Sequence, residues 1–234
     1  MEIKVLDKKQ IKKLIRRKPI DGTFNVFEEE NGILKVYKDP MFELGKYQTV
    51  IFPGTLVDVD QIHWLESKQS EVKGSDLPNG IVFFEKLPIG VTYPRYFKGY
   101  KNFYHLHEES VERIIRNFRT AIDKNIELIR AGILNVDFTM HNIIYKDDDV
   151  QLIDLDGKYI GSDFSLVRVY SYFVYGMMNE IYEKIKTIYG EKESLVIIRD
   201  LTKMIESYRP EDMTLEYPHI VLDEVEKSQV LKLK

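Results

Sequence analysis

The chain has 234 residues, 44% hydrophobic and 31% charged, with a net charge of −4; that is enough for one large domain or two lobes around a sizeable core. The mild acidity leaves no basic footprint for nucleic acid or an anionic membrane. Cysteine is absent, which excludes disulfides and thiolate metal sites, and no signal-peptide run or stretch of roughly 20 apolar residues stands out, so a cytoplasmic protein that neither enters nor crosses a membrane is expected.

Residues 3–17 mix many Lys and Arg with Ile3, Val5, Leu6, Ile11, Leu14 and Ile15, predicting a short amphipathic opening helix. Segments 23–27 and 32–37 predict strands joined by a hairpin at Asn31-Gly32. Lys35 alternates there with Leu34 and Val36. It points out of the sheet, or it lies on an inward face, where an ammonium is costly unless paired. Residues 57–69 predict a helix that turns Val59, Ile62, Trp64 and Leu65 toward a core. Leu77-Pro78-Asn79-Gly80 and Leu87-Pro88-Ile89-Gly90 each open a further strand, the second ending before the loop at Lys98-Gly99.

The composition then turns helical. Ser110 predicts an N-cap for a helix whose Val111, Ile114, Ile115, Phe118, Ile122, Ile126 and Ile129 recur at helical spacing, with Gly132 ending it. After residue 154 an apolar run from Phe164 to Tyr175 predicts a buried helix. Two more helices, about 179–189 and 192–208, precede a charged tail over 225–234.

Between these helices lies Asn135-Val136-Asp137-Phe138-Thr139-Met140-His141-Asn142, followed ten residues later by Leu152-Ile153-Asp154. An Asp, an Asn five residues on, a short hairpin, and an Asp at the end of an apolar strand form the order that metal-assisted phosphoryl transfer requires. One carboxylate sits beside an attacking hydroxyl, while an amide oxygen and a second carboxylate hold the divalent ions that bridge the nucleotide phosphates. The five-residue gap lets a loop carry Asp137 past the reacting atom and return Asn142 to the metal. Asp147, Asp148 and Asp149 read as solvated turn residues.

This pattern resembles the catalytic and metal loops of the protein-kinase-like superfamily, which includes eukaryotic-type protein kinases, aminoglycoside phosphotransferases and choline kinases. The resemblance implies an α+β, two-lobed fold, with a small antiparallel-sheet lobe over residues 1–98 and a mainly helical lobe over 99–234. It implies ATP and Mg²⁺ as cofactors. Asp137 would orient or deprotonate the acceptor hydroxyl, and Asn142 and Asp154 would hold the metal. Lys35 would grip the α- and β-phosphates, with Lys38 as the fallback. Glu66 would position that lysine, with Glu71 as runner-up. Gly22 would let a tight turn cover the phosphates, and the backbone of Tyr96, Phe97 and Lys98 would meet the adenine edge.

The sequence departs from the superfamily pattern in several places. Gly22 stands alone where relatives carry several glycines. Asn135 stands where His is usual, Thr139 where Lys is frequent, and Asp156 where Gly is usual, and no long activation segment or Ala-Pro-Glu motif follows. Asp163 reads equally as a helix N-cap and as the buried Asp that holds the catalytic loop. The expected activity is transfer of the γ-phosphate to a hydroxyl on a protein, this chain included. The alternatives are a small-molecule kinase and a non-catalytic pseudokinase that docks a partner.

Overall fold

The computed structural model describes residues 2–15, 26–30, 32–36, 58–72, 75–84, 87–95, 97–135, 137–155, 166–206 and 214–228. Over these residues the chain is a mixed α+β protein with one five-stranded and one three-stranded sheet. It divides into two compact units, Met1–Glu71 with Asp76–Lys98 and Asp154–Lys158, and Val72–Ser75 with Gly99–Ile153 and Tyr159–Lys234. Gly22, Lys38, Tyr96, Asp156, Asp163 and residues 229–234 lie outside the described residues.

The first unit opens with strand β1 (Glu2–Leu6) and helix α1 (Lys8–Ile15), followed by β2 (Val26–Glu29), β3 (Gly32–Val36), α2 (Val59–Ser67), β4 (Gly80–Phe84) and β5 (Leu87–Tyr93). The single opening helix expected over 3–17 is therefore corrected to a strand and a helix. The break comes from a reciprocal cap: Gln10 N–H donates to the Asp7 carboxylate at 2.7 Å and Asp7 N–H donates to the Gln10 side chain at 2.8 Å. Such a box starts a helix at the next residue and leaves the β-branched alternation before it free to extend.

The sheet order is β1-β4-β5-β3-β2. β1 runs parallel to β4 while the other neighbours are antiparallel, so the sheet is mixed where a purely antiparallel one was expected. Leu6, Ile11, Leu14, Phe27, Leu34, Val36, Val82, Phe84 and Ile89 form one buried cluster. The opposite face carries Ile81 and Val91, which pair in register, with Lys35 opposite Val91 on the adjoining strand. Lys35 is thus on the side of the sheet away from the α1 cluster.

The second unit has strands β6 (Lys101–Asn102), β7 (Ile143–Lys146) and β8 (Asp149–Leu152) in that order across the small sheet. A 3₁₀ turn over Phe103–Glu108 leads to α3 (Val111–Arg130), and a second one over Met140–Asn142 precedes β7. Helices α4 (Leu166–Tyr189), α5 (Glu191–Glu206) and α6 (Tyr217–Lys227) follow. Ser110 caps α3 by accepting from Arg113 N–H. The helix ends where Gly132 takes φ +87° and Ile133 N–H returns to the Leu128 carbonyl, a left-handed stop that favours glycine.

Two expectations are corrected here. The helix over 164–175 and the one over 179–189 are a single helix, and Tyr172 and Tyr175 on it are 63% and 77% exposed, so it is not buried all round. α6 occupies part of the supposed charged tail because Tyr217, Pro218, Val221, Leu222 and Val225 form a buried stripe at near-helical spacing. The aromatic core links Phe103 to Phe118 and Phe118 to Phe173, with centroids 5.6 and 6.2 Å apart and edge-to-face, the geometry favoured by ring quadrupoles. Among the described residues no helix is long and apolar enough to cross a membrane.

One buried acid gives the first unit a pH-dependent stability. Asp76 is 4% exposed and one of its carboxylate oxygens has no hydrogen-bond partner. Burial pushes its carboxyl up from 3.8 to about 7, with the Arg95 guanidinium pulling the other way. The folded state therefore holds this proton where the unfolded chain has released it. The contribution is fully present below the unfolded value and is lost as pH rises toward 7, amounting to about 4 kcal/mol over three units. Urea unfolding of the Asp76→Asn variant is expected to show it gaining on the wild type between pH 4.5 and pH 8, and parallel pH profiles for the two would refute the assignment.

Candidate functional site

The segment from Asn135 to Asn142 alternates between anchors and presented groups. Asn135, Phe138 and Met140 are buried at 2%, 0% and 1% exposure, while Asp137 and His141 are exposed and Asn142 is half-buried. Phe138 stacks on Phe173 of α4 with ring centroids 4.1 Å apart and planes 15° from parallel. Met140 packs against Gly176 of the same helix so closely that a β-carbon there would lie 2.6 Å from its Cγ. Burial of Phe138 and Met140, two residues apart, leaves Asp137 and His141 on either side turned outward. The loop thereby displays polar groups although its anchors are apolar.

Hydrogen bonds then fix the displayed groups. Thr139 N–H donates to the Asp137 carbonyl at 2.8 Å and Asn142 N–H to the Thr139 carbonyl at 3.0 Å. The Asn142 side-chain amide donates to the Asp137 carbonyl at 3.0 Å and to its carboxylate at 2.8 Å. Because Nδ2 is spent on Asp137, the acceptor Oδ1 of Asn142 is the end left for another partner. The Asn142 carbonyl accepts Ile153 N–H at 2.9 Å, which ties the end of the β7–β8 hairpin to this loop. Asn102 Nδ2 donates to the His141 carbonyl at 2.6 Å, and Tyr104 lies against the His141 ring with centroids 4.3 Å apart.

In the first unit, Lys35 of β3 forms an ion pair with the carboxylate of Asp154, with side-chain exposures of 19% and 42%. Lys35 does lie where a counter-charge is needed, and it takes one from 119 residues along the chain. Asp154 itself has φ +65°, a left-handed conformation that costs a residue with a side chain roughly 1–2 kcal/mol. Outliers of this kind persist where surrounding structure enforces them and concentrate at functional positions.

The structure thus brings Lys35 to Asp154, and Asp137 to Asn142. Glu66 lies half-buried in the last turn of α2, in the same unit as Lys35. Phe97 is half-buried and Lys98 exposed, just before Gly99. Gly22 and Tyr96 fall outside the described residues. Asp147, Asp148 and Asp149 are exposed, yet Asp148 pairs with Arg116 and Asp149 accepts from Tyr100, so the hairpin acids are partnered as well as solvated. Among the described residues no three His, Cys, Asp or Glu side chains gather into a metal cage. Taken singly, Asp154 of the first unit offers a carboxylate and Asn142 of the second an amide oxygen, donors of the class a hard divalent ion takes.

Sequence reasoning missed the supporting residues Phe138, Met140, Phe173 and Gly176. The signal was available in the apolar residues spaced two apart, Phe138 and Met140, set between polar ones. The partner glycine on α4 had no local mark. A scan against models of known protein families matches none of them, and a search of curated protein sequences gives no match.

The Met140–Gly176 contact makes the loop's position sensitive to one methyl group. Alanine is intrinsically better than glycine inside a helix by about 1 kcal/mol, but the added β-carbon has to displace the stem of a fully buried side chain, which typically costs about 1–3 kcal/mol. Gly176→Ala is therefore expected to lower stability in urea unfolding, and its cost should be smaller in a Met140→Ala background, where the crowding is gone, than in the wild type.

Proposed function

We propose that the chain is a protein-kinase-like phosphotransferase that uses ATP and Mg²⁺ and transfers the γ-phosphate to a hydroxyl on a protein, this chain included. The observation that carries the reading is the Lys35–Asp154 ion pair. A strand lysine and a strained, strand-end aspartate are held together, the two residues that phosphoryl transfer assigns to the phosphates and to the metal. The Asn142 clamp on Asp137 supports it further, because it fixes a carboxylate and leaves an amide oxygen available as a metal donor.

In this reading Lys35 exchanges part of its bond to Asp154 for the nucleotide's α- and β-phosphates, and Glu66 steadies it from α2. Asp154 and the Oδ1 of Asn142 would hold a divalent ion. Asp137 would orient the acceptor hydroxyl and take its proton as the oxygen attacks and ADP leaves. The nucleotide would supply the phosphoryl group and its ion would neutralise charge on it. Phe97 and Lys98 offer backbone groups to the adenine. The protein's own contribution is positioning and electrostatics, with no covalent intermediate on the enzyme. The two-lobed form of the superfamily belongs to the same proposal, with residues 1–98 as the nucleotide-gripping lobe and 99–234 as the catalytic one. Thr139, in place of a frequent lysine, removes one positive charge from the transferred group, so turnover is expected to be slow.

Thermal unfolding with and without ATP and Mg²⁺ tests the nucleotide site. A ligand that binds only the folded chain at a hundredfold excess over Kd stabilises it by about 2.7 kcal/mol. The wild type should show a metal-dependent rise in Tm that Asp154→Ala abolishes and Asp137→Asn retains. With radiolabelled ATP, Asp137→Asn should lower incorporation about 100-fold or more. The absence of any metal-dependent shift in the wild type would sink the reading. A shift without transfer to the chain itself, to added proteins or to small alcohols would instead mark a non-catalytic nucleotide-binding module.

A further inference from the structure

Asn135 is a buried amide whose two ends are unequally used. Its side chain is 2% exposed. Its Oδ1 accepts the backbone N–H of Asp137 at 3.2 Å, the bond of an Asx-type turn that sets the backbone two residues on. Its Nδ2 is buried and has no hydrogen-bond partner among the described residues. An orphaned buried amide donor destabilises a fold, and an apolar residue of the same shape at that position avoids the penalty. The local rule for a stable core is therefore broken two residues before the presented carboxylate of Asp137. Such violations are expected where a site imposes its own demand.

We propose that Asn135 is the positioning residue for Asp137, held in the core against stability because its Oδ1 fixes the backbone that carries the carboxylate. The proposal rests on the phosphotransferase reading above and names a further residue for it. Asn142 grips Asp137 from the other side through its carbonyl and carboxylate. Asn135 supplies what that clamp lacks, a hold on the N–H. With both in place the Asp137 peptide is fixed at its two hydrogen-bonding ends, and the side chain keeps one direction. Phe138 and Met140 set the depth of the loop, but neither makes a polar contact that sets the direction of that peptide.

Three variants of the full chain separate this role from simple packing. Asn135→Leu keeps the branched shape, with a somewhat larger volume, and removes both polar ends. Asn135→Ser leaves a small cavity but restores a hydroxyl able to accept the N–H two residues on. Asp137→Asn controls for the reaction itself. The measurements are the urea midpoint, the Kd for ATP with Mg²⁺, kcat for phosphate transfer, and hydrogen exchange at the Asp137 amide. Asn135→Leu is expected to match or exceed the wild type in urea midpoint and to bind ATP with unchanged Kd, while kcat falls at least tenfold and the Asp137 amide exchanges faster. Asn135→Ser is expected to be the less stable of the two and the more active, with the amide protection restored. Packing alone predicts the same order for stability and activity, so the inversion is the signature of positioning. The proposal is overturned if Asn135→Leu transfers phosphate at the wild-type rate, if it loses stability and activity together, or if it fails to fold. A wild type that transfers no phosphate while retaining the protected amide would remove the phosphotransferase reading instead.

Discussion

An ammonium on an interior strand of a sheet has to find a counter-charge, and the way Lys35 satisfies that requirement organises the candidate site. β3 lies between β5 and β2, with Leu34 and Val36 buried in the α1 cluster and Lys35 on the other face. The partner it takes is Asp154, at the far end of the β7–β8 hairpin in sequence. A partly exposed ion pair contributes little to stability by itself, typically below about 1 kcal/mol. Its significance is therefore in what it orients. A partly solvated pair exchanges partners more readily than a fully buried one would.

The loop from Asn135 to Asn142 solves a different problem, which is how to display hydrogen-bonding groups without letting them wander. It does so by division of labour along the chain. Buried Phe138 and Met140 give the loop its depth through Phe173 and Gly176. Main-chain bonds from Thr139 and Asn142 close the turn. Side-chain amides from Asn135 and Asn142 then fix the Asp137 peptide from both sides. α4 serves as the platform for both apolar anchors, so the helix that looked in sequence like a simple buried rod is a support for the loop from Asn135 to Asn142. Its exposed tyrosines, Tyr172 and Tyr175, lie away from that contact face.

Much of this was legible from the residues, and the exceptions have identifiable causes. The α3 start at Ser110, its stop at Gly132 and the β7–β8 hairpin were readable because each depends on short-range chemistry, a cap, a left-handed glycine and a two-residue turn. The opening strand was missed because lysines spaced along an amphipathic stretch masked the capping box of Asp7 and Gln10, and a helical period was assigned to the whole of it. The expected division of α4 into two helices failed because the helix runs unbroken through Gly176. Only the long-range presence of Met140 shows that the glycine is there for room. The loop acids and amides were found from their spacing, while their anchors were not, since stacking of Phe138 on Phe173 joins residues far apart in the chain. The same limit applies to the pairing of Lys35. Its need for a counter-charge could be read from β3, but the identity of Asp154 as the partner required the fold.

Among the described residues two aspartates adopt positive φ, and their settings differ. Asp147, at φ +55°, sits in the two-residue connection between β7 and β8, where hairpin geometry favours positive φ and aspartate tolerates it. Its side chain is 77% exposed, and the turn alone accounts for it. Asp154, at φ +65°, follows β8 rather than lying in the connection between β7 and β8. A glycine there would remove the backbone cost, yet it would also remove the carboxylate that Lys35 holds. The sequence keeps the strained residue and the charge together. That choice is intelligible if the direction of this one carboxylate matters more than the local energy of its backbone.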